Sequence, residues 1–244
     1  MRDHPAMLIA SDFFCCTFED LHESRQNCAL EIARTGTASG LLFEQLLLGS
    51  IDIVDGSIEI AERLLPPKLP DHRPPTEPEL EWRRQVLLGR EDELFQERRS
   101  FIQRSRLEHL RQWLPVFATD SCEKVGQRLL ALNKAHHVNP GLLRRQRIVV
   151  PTPEWRVAPA RILAALLKQP GTPDQPGTAI QPWHAATLAL LKITRISEYV
   201  FDDLDQDALD RMDQIVTGAL STWPAARQLV DTTAAVMKAS AYAH

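Results

Sequence analysis

Side chains whose type and spacing could do chemistry fall at four places in the chain. The first is acidic. FDDLDQDALD, residues 201–210, sets Asp203, Asp205 and Asp207 at the first, third and fifth positions of a calcium-binding loop, where oxygen ligands must converge on one hard cation. That loop also needs a glycine at its sixth position and a bidentate glutamate at its twelfth, and Ala208 and Gln214 stand there instead. Asp205 also directly precedes an apolar-periodic run, where a carboxylate caps a helix and meets its positive end. A divalent ion at 202–207 serving a helical enzyme is one alternative for this chain, and N-capping is the simpler use of the same residues.

The second place pairs Glu19 with His22, one carboxylate and one imidazole on a helical face, as in two-metal bundles; those need a second such pair, and none occurs. Near it lie Cys15, Cys16 and Cys28. Adjacent cysteines point apart, no CxxC is present, and the spacings do not match structural zinc sites. No metal and no cofactor are expected. With Cys122 the thiols number four, too few for a disulfide framework in 244 residues, so reduced thiols and a cytoplasmic location are expected. No GxSxG, catalytic-cysteine signature or glycine-rich phosphate loop appears, so no catalytic residue is assigned.

The third place is basic. Arg144, Arg145, Arg147, Trp155 and Arg156, with Arg161 behind them and Lys134, His136 and His137 ahead, form a candidate nucleic-acid or anion site in which Trp155 stacks on a base. NPGLLRRQRIVVP in the same region resembles the closing part of a LysM repeat, but the front half of that motif has no counterpart. The acidic run resembles the aspartate-rich magnesium motif of helical prenyl-processing enzymes, which would imply bound Mg²⁺; Gln206 departs from that spacing and no second motif follows.

The fourth place is a seam rather than a reactive group. Between Glu79 and Phe117 the apolar pairs Leu87/Leu88, Leu94/Phe95 and Phe101/Ile102 repeat every seven residues inside a charged helix, the pattern of a helix docked to another chain. Leu87, Leu94, Phe95, Phe101 and Ile102 are therefore the candidate partner-binding residues. Leu107, Leu110, Trp113, Leu114 and Phe117 widen the stripe, so this end anchors in the core, and Pro115 should kink or end the helix.

The elements that must position these residues are mostly helical. Thr17 and Asp20 form a capping box for a helix stopping at Thr35-Gly36, and Ser39 caps a second from Leu41. Ser50–Ile60 fits both a helix and a hairpin turning at Asp55-Gly56; helix is favoured, because an isolated hairpin is marginal. Asp120-Ser121 caps a helix ending near His136, Ile148–Val150 is a lone extended segment, and Ala160–Leu167 is helical. Three more helical patterns cover Trp183–Phe201, Asp205–Leu220 and Pro224–Tyr242, the last with proline in its first turn.

Proline-rich connectors at 66–78 and 169–178 divide the chain into an N-terminal lobe (1–65), a central part (79–168) and a C-terminal lobe (179–244), three lobes that one domain can contain. The fold class is mainly α, a multi-helix, bundle-like domain with proline-rich connecting segments and room for one short β-hairpin. A formal charge of −4 excludes a surface built wholly for nucleic acid. Leu41–Leu48, the most apolar run, carries Glu44 and Gln45 and is far short of a bilayer span, so no membrane contact is expected. By elimination the expected function is protein–protein interaction, as an adaptor, accessory subunit or chaperone-like component, with nucleic-acid binding through 144–161 as the alternative.

Overall fold

A computed structural model describes residues 9–19, 26, 28–61, 92–138, 148–169 and 180–241. Within them lie ten helices and two short antiparallel strand pairs, a mainly α fold. Most of the two proline-rich connectors falls outside the described residues, as do Leu87, Arg144, Arg145 and Arg147.

Two helices lay down the centre. α1 (Ile9–Cys16) crosses α2 (Leu30–Leu47) at close range. A Cβ on Gly40 would lie 2.6 Å from the Ala10 Cα, and one on Gly36 would run into the Phe13 ring. Both glycines are therefore points of close contact, Gly36 does not stop a helix, and α2 runs unbroken through Thr35-Gly36 and Ser39, where two separate helices were expected. Thr17 likewise ends α1 instead of starting a helix: its hydroxyl donates to the Phe14 carbonyl at 2.7 Å.

The segment expected as a helix at 50–60 is a hairpin of β1 (Ile51–Val54) and β2 (Ser57–Ile60), in register Ile51↔Ile60 and Ile53↔Ile58. Asp55 and Gly56 both take positive φ, 51° and 76°, as a tight primed hairpin turn requires. What an isolated hairpin lacks is supplied from elsewhere. Ile58 N–H donates to the Glu108 carbonyl, Leu110 N–H donates to the Gly56 carbonyl, both at 2.8 Å, and Gly56 N–H donates to Gln228 Oε1 at 2.6 Å.

The same contacts explain why 79–117 is not one helix. α3 (Glu93–Arg104) and α4 (Leu110–Ala118) are separated by five residues, of which Glu108 and His109 bridge to β2. Asp92 caps α3 by accepting from Phe95 N–H at 2.8 Å, and His109 opens α4 with Gln112 reaching back. Pro115 sits inside α4 without ending it. Trp113, Leu114 and Phe117 anchor it in the core, with Trp113 and Phe117 edge to face at 5.6 Å.

α5 (Ser121–Ala131) leads into β3 (Ala135–Val138), which pairs with β4 (Ile148–Pro151), so Ile148–Val150 is not the lone strand the sequence suggests. α6 (Pro153–Lys168) follows, longer than its apolar stretch implied. The C-terminal part forms α7 (Pro182–Ile193), the short α8 (Ser197–Val200), α9 (Gln206–Thr222) and α10 (Pro224–Ala241); a positive φ of 61° at Arg195 splits the first expected helix in two. α2 touches α1, α4, α5, α7 and α10, and the buried apolar residues from Ile9 to Val230 form one continuous core around it.

Candidate binding cleft

A hollow opens among the described residues where α2, α7, α9 and α10 diverge, and it has a volume of about 720 Å³. α2 contributes Phe43, Leu46 and Leu47; β1 contributes Ile51 and Asp52; α7 contributes Pro182, Ala185 and Ala186, with Ile180 just ahead of it. α9 turns Arg211, Ile215 and Ala219 into the space. Those three are four residues apart and share one helical stripe, beside the stripe of Ala208, Met212 and Val216 that is buried in the core. Small side chains at Ala185, Ala186, Ala219 and Ala226 leave the facing helices unable to fill the gap.

Trp223 closes one end. It links α9 to α10 in an extended conformation (φ −130°, ψ 85°), as a residue before proline prefers, and its ring meets Phe43 edge to face at 6.1 Å. The lining is thus apolar with two ionisable exceptions. Asp52 on β1 accepts from Ile53 N–H at 2.9 Å. Arg211 is half-buried and forms no hydrogen bond or ion pair among the described residues.

Arg211 also borders a second hollow of about 590 Å³, with Lys168, Asp203, Asp205 and Asp207 around it. Here lies the acidic run picked out from the sequence. Asp205 caps α9 by accepting from Ala208 N–H at 2.9 Å, and Asp203 is 3.4 Å from the Lys168 ammonium. Among the described residues no three His, Cys, Asp or Glu side chains are placed to hold a metal ion.

Among the described residues, the other expected site residues are placed as follows. Leu94, Phe95 and Ile102 are buried in the core, and only Phe101 of the described seam remains open, at 39% exposure, with its ring 5.7 Å from Trp113. Trp155 carries the Lys134 ammonium over its face at 3.7 Å, and buried Arg156 donates to the Glu19 carbonyl at 3.1 Å. The thiols are quiet: burial raises the pKa of Cys15 and Cys122 and pushes Cys28 up to about 12, which keeps them protonated and poorly nucleophilic.

What the sequence did not reveal is an ionic network in the core. Arg128 donates through Nη1 and Nη2 to Glu44 at 3.1 and 2.9 Å, and through Nη2 to Asp92 at 2.6 Å; Glu44 Oε1 also accepts from Ala10 N–H at 2.9 Å. Burial works against the Arg128 charge, but the two carboxylates outweigh it and its pKa is raised. Nearby, burial pushes the Asp12 carboxyl up to about 7, Lys134 draws it down and Glu44 adds to the rise. The available signal was Glu44 itself, a carboxylate inside the most apolar run of the chain, which demands a buried cation. Nothing local distinguishes Arg128 from the other arginines.

Compared with known proteins, the chain matches no protein-family model and no curated protein. No helix among the described residues is long and apolar enough to cross a membrane.

Proposed function

We propose that this protein acts by binding, as an accessory component without chemistry of its own, and that its ligand enters the cleft between α2, α7, α9 and α10. The observation that supports this reading is the cleft itself: a hollow of about 720 Å³ with an apolar lining and two ionisable groups. Size and lining both match those of sites that enclose small molecules. The groups best suited to reaction lie elsewhere and are engaged or shielded: Glu44 and Arg128 pair with each other, Cys15 and Cys16 are buried, and Cys28 and Cys122 are half-buried.

Ala219 is half-buried on the cleft wall, so Ala219→Trp fills the space with little disturbance of the core. Thermal-shift screening of small amphiphiles against both proteins tests the reading. Ligands that raise the melting temperature of the wild type should lose that effect on Ala219→Trp; stabilisation of both to the same extent would move the binding site elsewhere.

A second reading keeps one specific support. Phe101 and Val116 are exposed on α3 and α4, at 39% and 38%, and a pair of large apolar groups on neighbouring helices suits contact with another protein, as an adaptor or subunit. Phe101→Ser together with Val116→Ser should release a co-purifying partner without unfolding the protein; a partner retained by this variant removes the support.

A further inference from the structure

Arg211 sets the chemical class of the cleft's ligand. We infer that the cleft receives an amphiphile bearing a carboxylate, with its apolar body against Phe43 and Trp223 and its carboxylate on the Arg211 guanidinium; this rests on the cleft being the binding site. Apolar lining alone would select by size only. Arg211 changes that, because a guanidinium on such a wall offers a planar fork of donors that matches a carboxylate in bidentate fashion.

Its surroundings leave the fork free. Asp207 stands one turn earlier on the same helix, the spacing of a helical ion pair, and Asp203 and Asp205 border the adjoining hollow, yet no hydrogen bond or ion pair joins any of the three to Arg211 among the described residues.

Three probes with one alkyl chain and different heads separate these ideas: dodecanoate, dodecan-1-ol and dodecyltrimethylammonium, each titrated below its aggregation threshold and followed by calorimetry. On the wild type, dodecanoate should bind about tenfold more tightly than the other two, as one charge-assisted pair in a partly dry site implies. Arg211→Gln should reduce dodecanoate to the level of the alcohol and leave the alcohol unchanged, and Arg211→Lys, which keeps the charge without the fork, should retain part of the preference. Circular-dichroism melting checks that both variants fold.

Equal affinity of the three probes for the wild type, or a dodecanoate preference that survives Arg211→Gln, overturns the assignment of the carboxylate to Arg211. Failure of the cleft reading looks different: binding of all three probes is then untouched by Ala219→Trp, or no probe binds at all, and the inference falls with it.

Discussion

α2 has two faces that carry opposite kinds of chemistry one residue apart. Glu44 turns toward α1 and α5 into a closed ionic network, whereas Phe43, Leu46 and Leu47 turn toward α7, α9 and α10 and line an open hollow. On the first face each carboxylate oxygen of Glu44 has a donor at hydrogen-bond distance. On the second, Arg211 has no such match among the described residues and small residues keep the helices apart. A buried charge is tolerated only beside a counter-charge, which Glu44 and Arg128 supply to each other, so the closed face is a structural device. A half-buried cation left unmatched beside an apolar wall is the kind of feature a ligand completes.

The sharpest way to break the contrast is to remove one member of the closed network. Arg128→Met leaves Glu44 buried without its cation and should cost about 3–5 kcal/mol in a chemical denaturation experiment. Glu44→Leu added to Arg128→Met removes the stranded charge and should recover most of that loss. If the double variant is no more stable than the single, the two side chains contribute packing rather than charge balance.

Next in size is the crossing that holds α1 against this face. Gly40→Ala places a methyl 2.6 Å from the Ala10 Cα, and backbone cannot swing aside as a side chain does, so the helices must separate. A loss of about 2 kcal/mol is expected, as for other overpacked sites, measured by urea midpoint. Unchanged stability would show that α1 docks loosely.

These positions show why part of the fold was readable and part was not. Asp205 ahead of α9 and Pro224 opening α10 act through neighbours in sequence, and their spacing announces them, whereas Asp55-Gly56 fits both a turn and a helix until the contacts from Glu108, Leu110 and Gln228 support the hairpin. Thr35-Gly36 looks like a helix stop when read locally, because the reason for the glycine, Phe13 on α1, lies far back in the chain. The long charged helix broke for a similar cause: Glu108 and Leu110 serve the hairpin, a partner that periodicity within 79–117 does not encode. The cleft was less legible still. Phe43, Asp52, Arg211 and Trp223 follow no motif, and only the packing of four helices brings them to one space.

A smaller effect, with a defined sign, belongs to Asp12. Its carboxyl pKa is about 7 in the folded chain against an ordinary value of 3.8, so the folded state holds a proton that the unfolded state has released between those limits. Its favourable contribution is present below about pH 4 and is lost as pH rises toward about 7. Asp12→Asn has no such proton to lose. The melting temperature of the wild type should therefore fall relative to Asp12→Asn across that window, and a constant difference between the two would mean that Asp12 is better solvated than its burial implies.

The smallest expected stability change is at Arg211, and its smallness is the point. An arginine engaged in the fold costs several kcal/mol when removed, as at Arg128, whereas one without a partner should change stability by no more than about 0.5 kcal/mol. Arg211→Gln, melted beside Arg128→Met in the same buffer, gives the direct contrast between the two faces of α2. A large loss at Arg211 would place it in the structural class and leave the cleft without a free cation. A near-zero change, together with loss of carboxylate preference, would make the unmatched guanidinium a feature kept for its ligand.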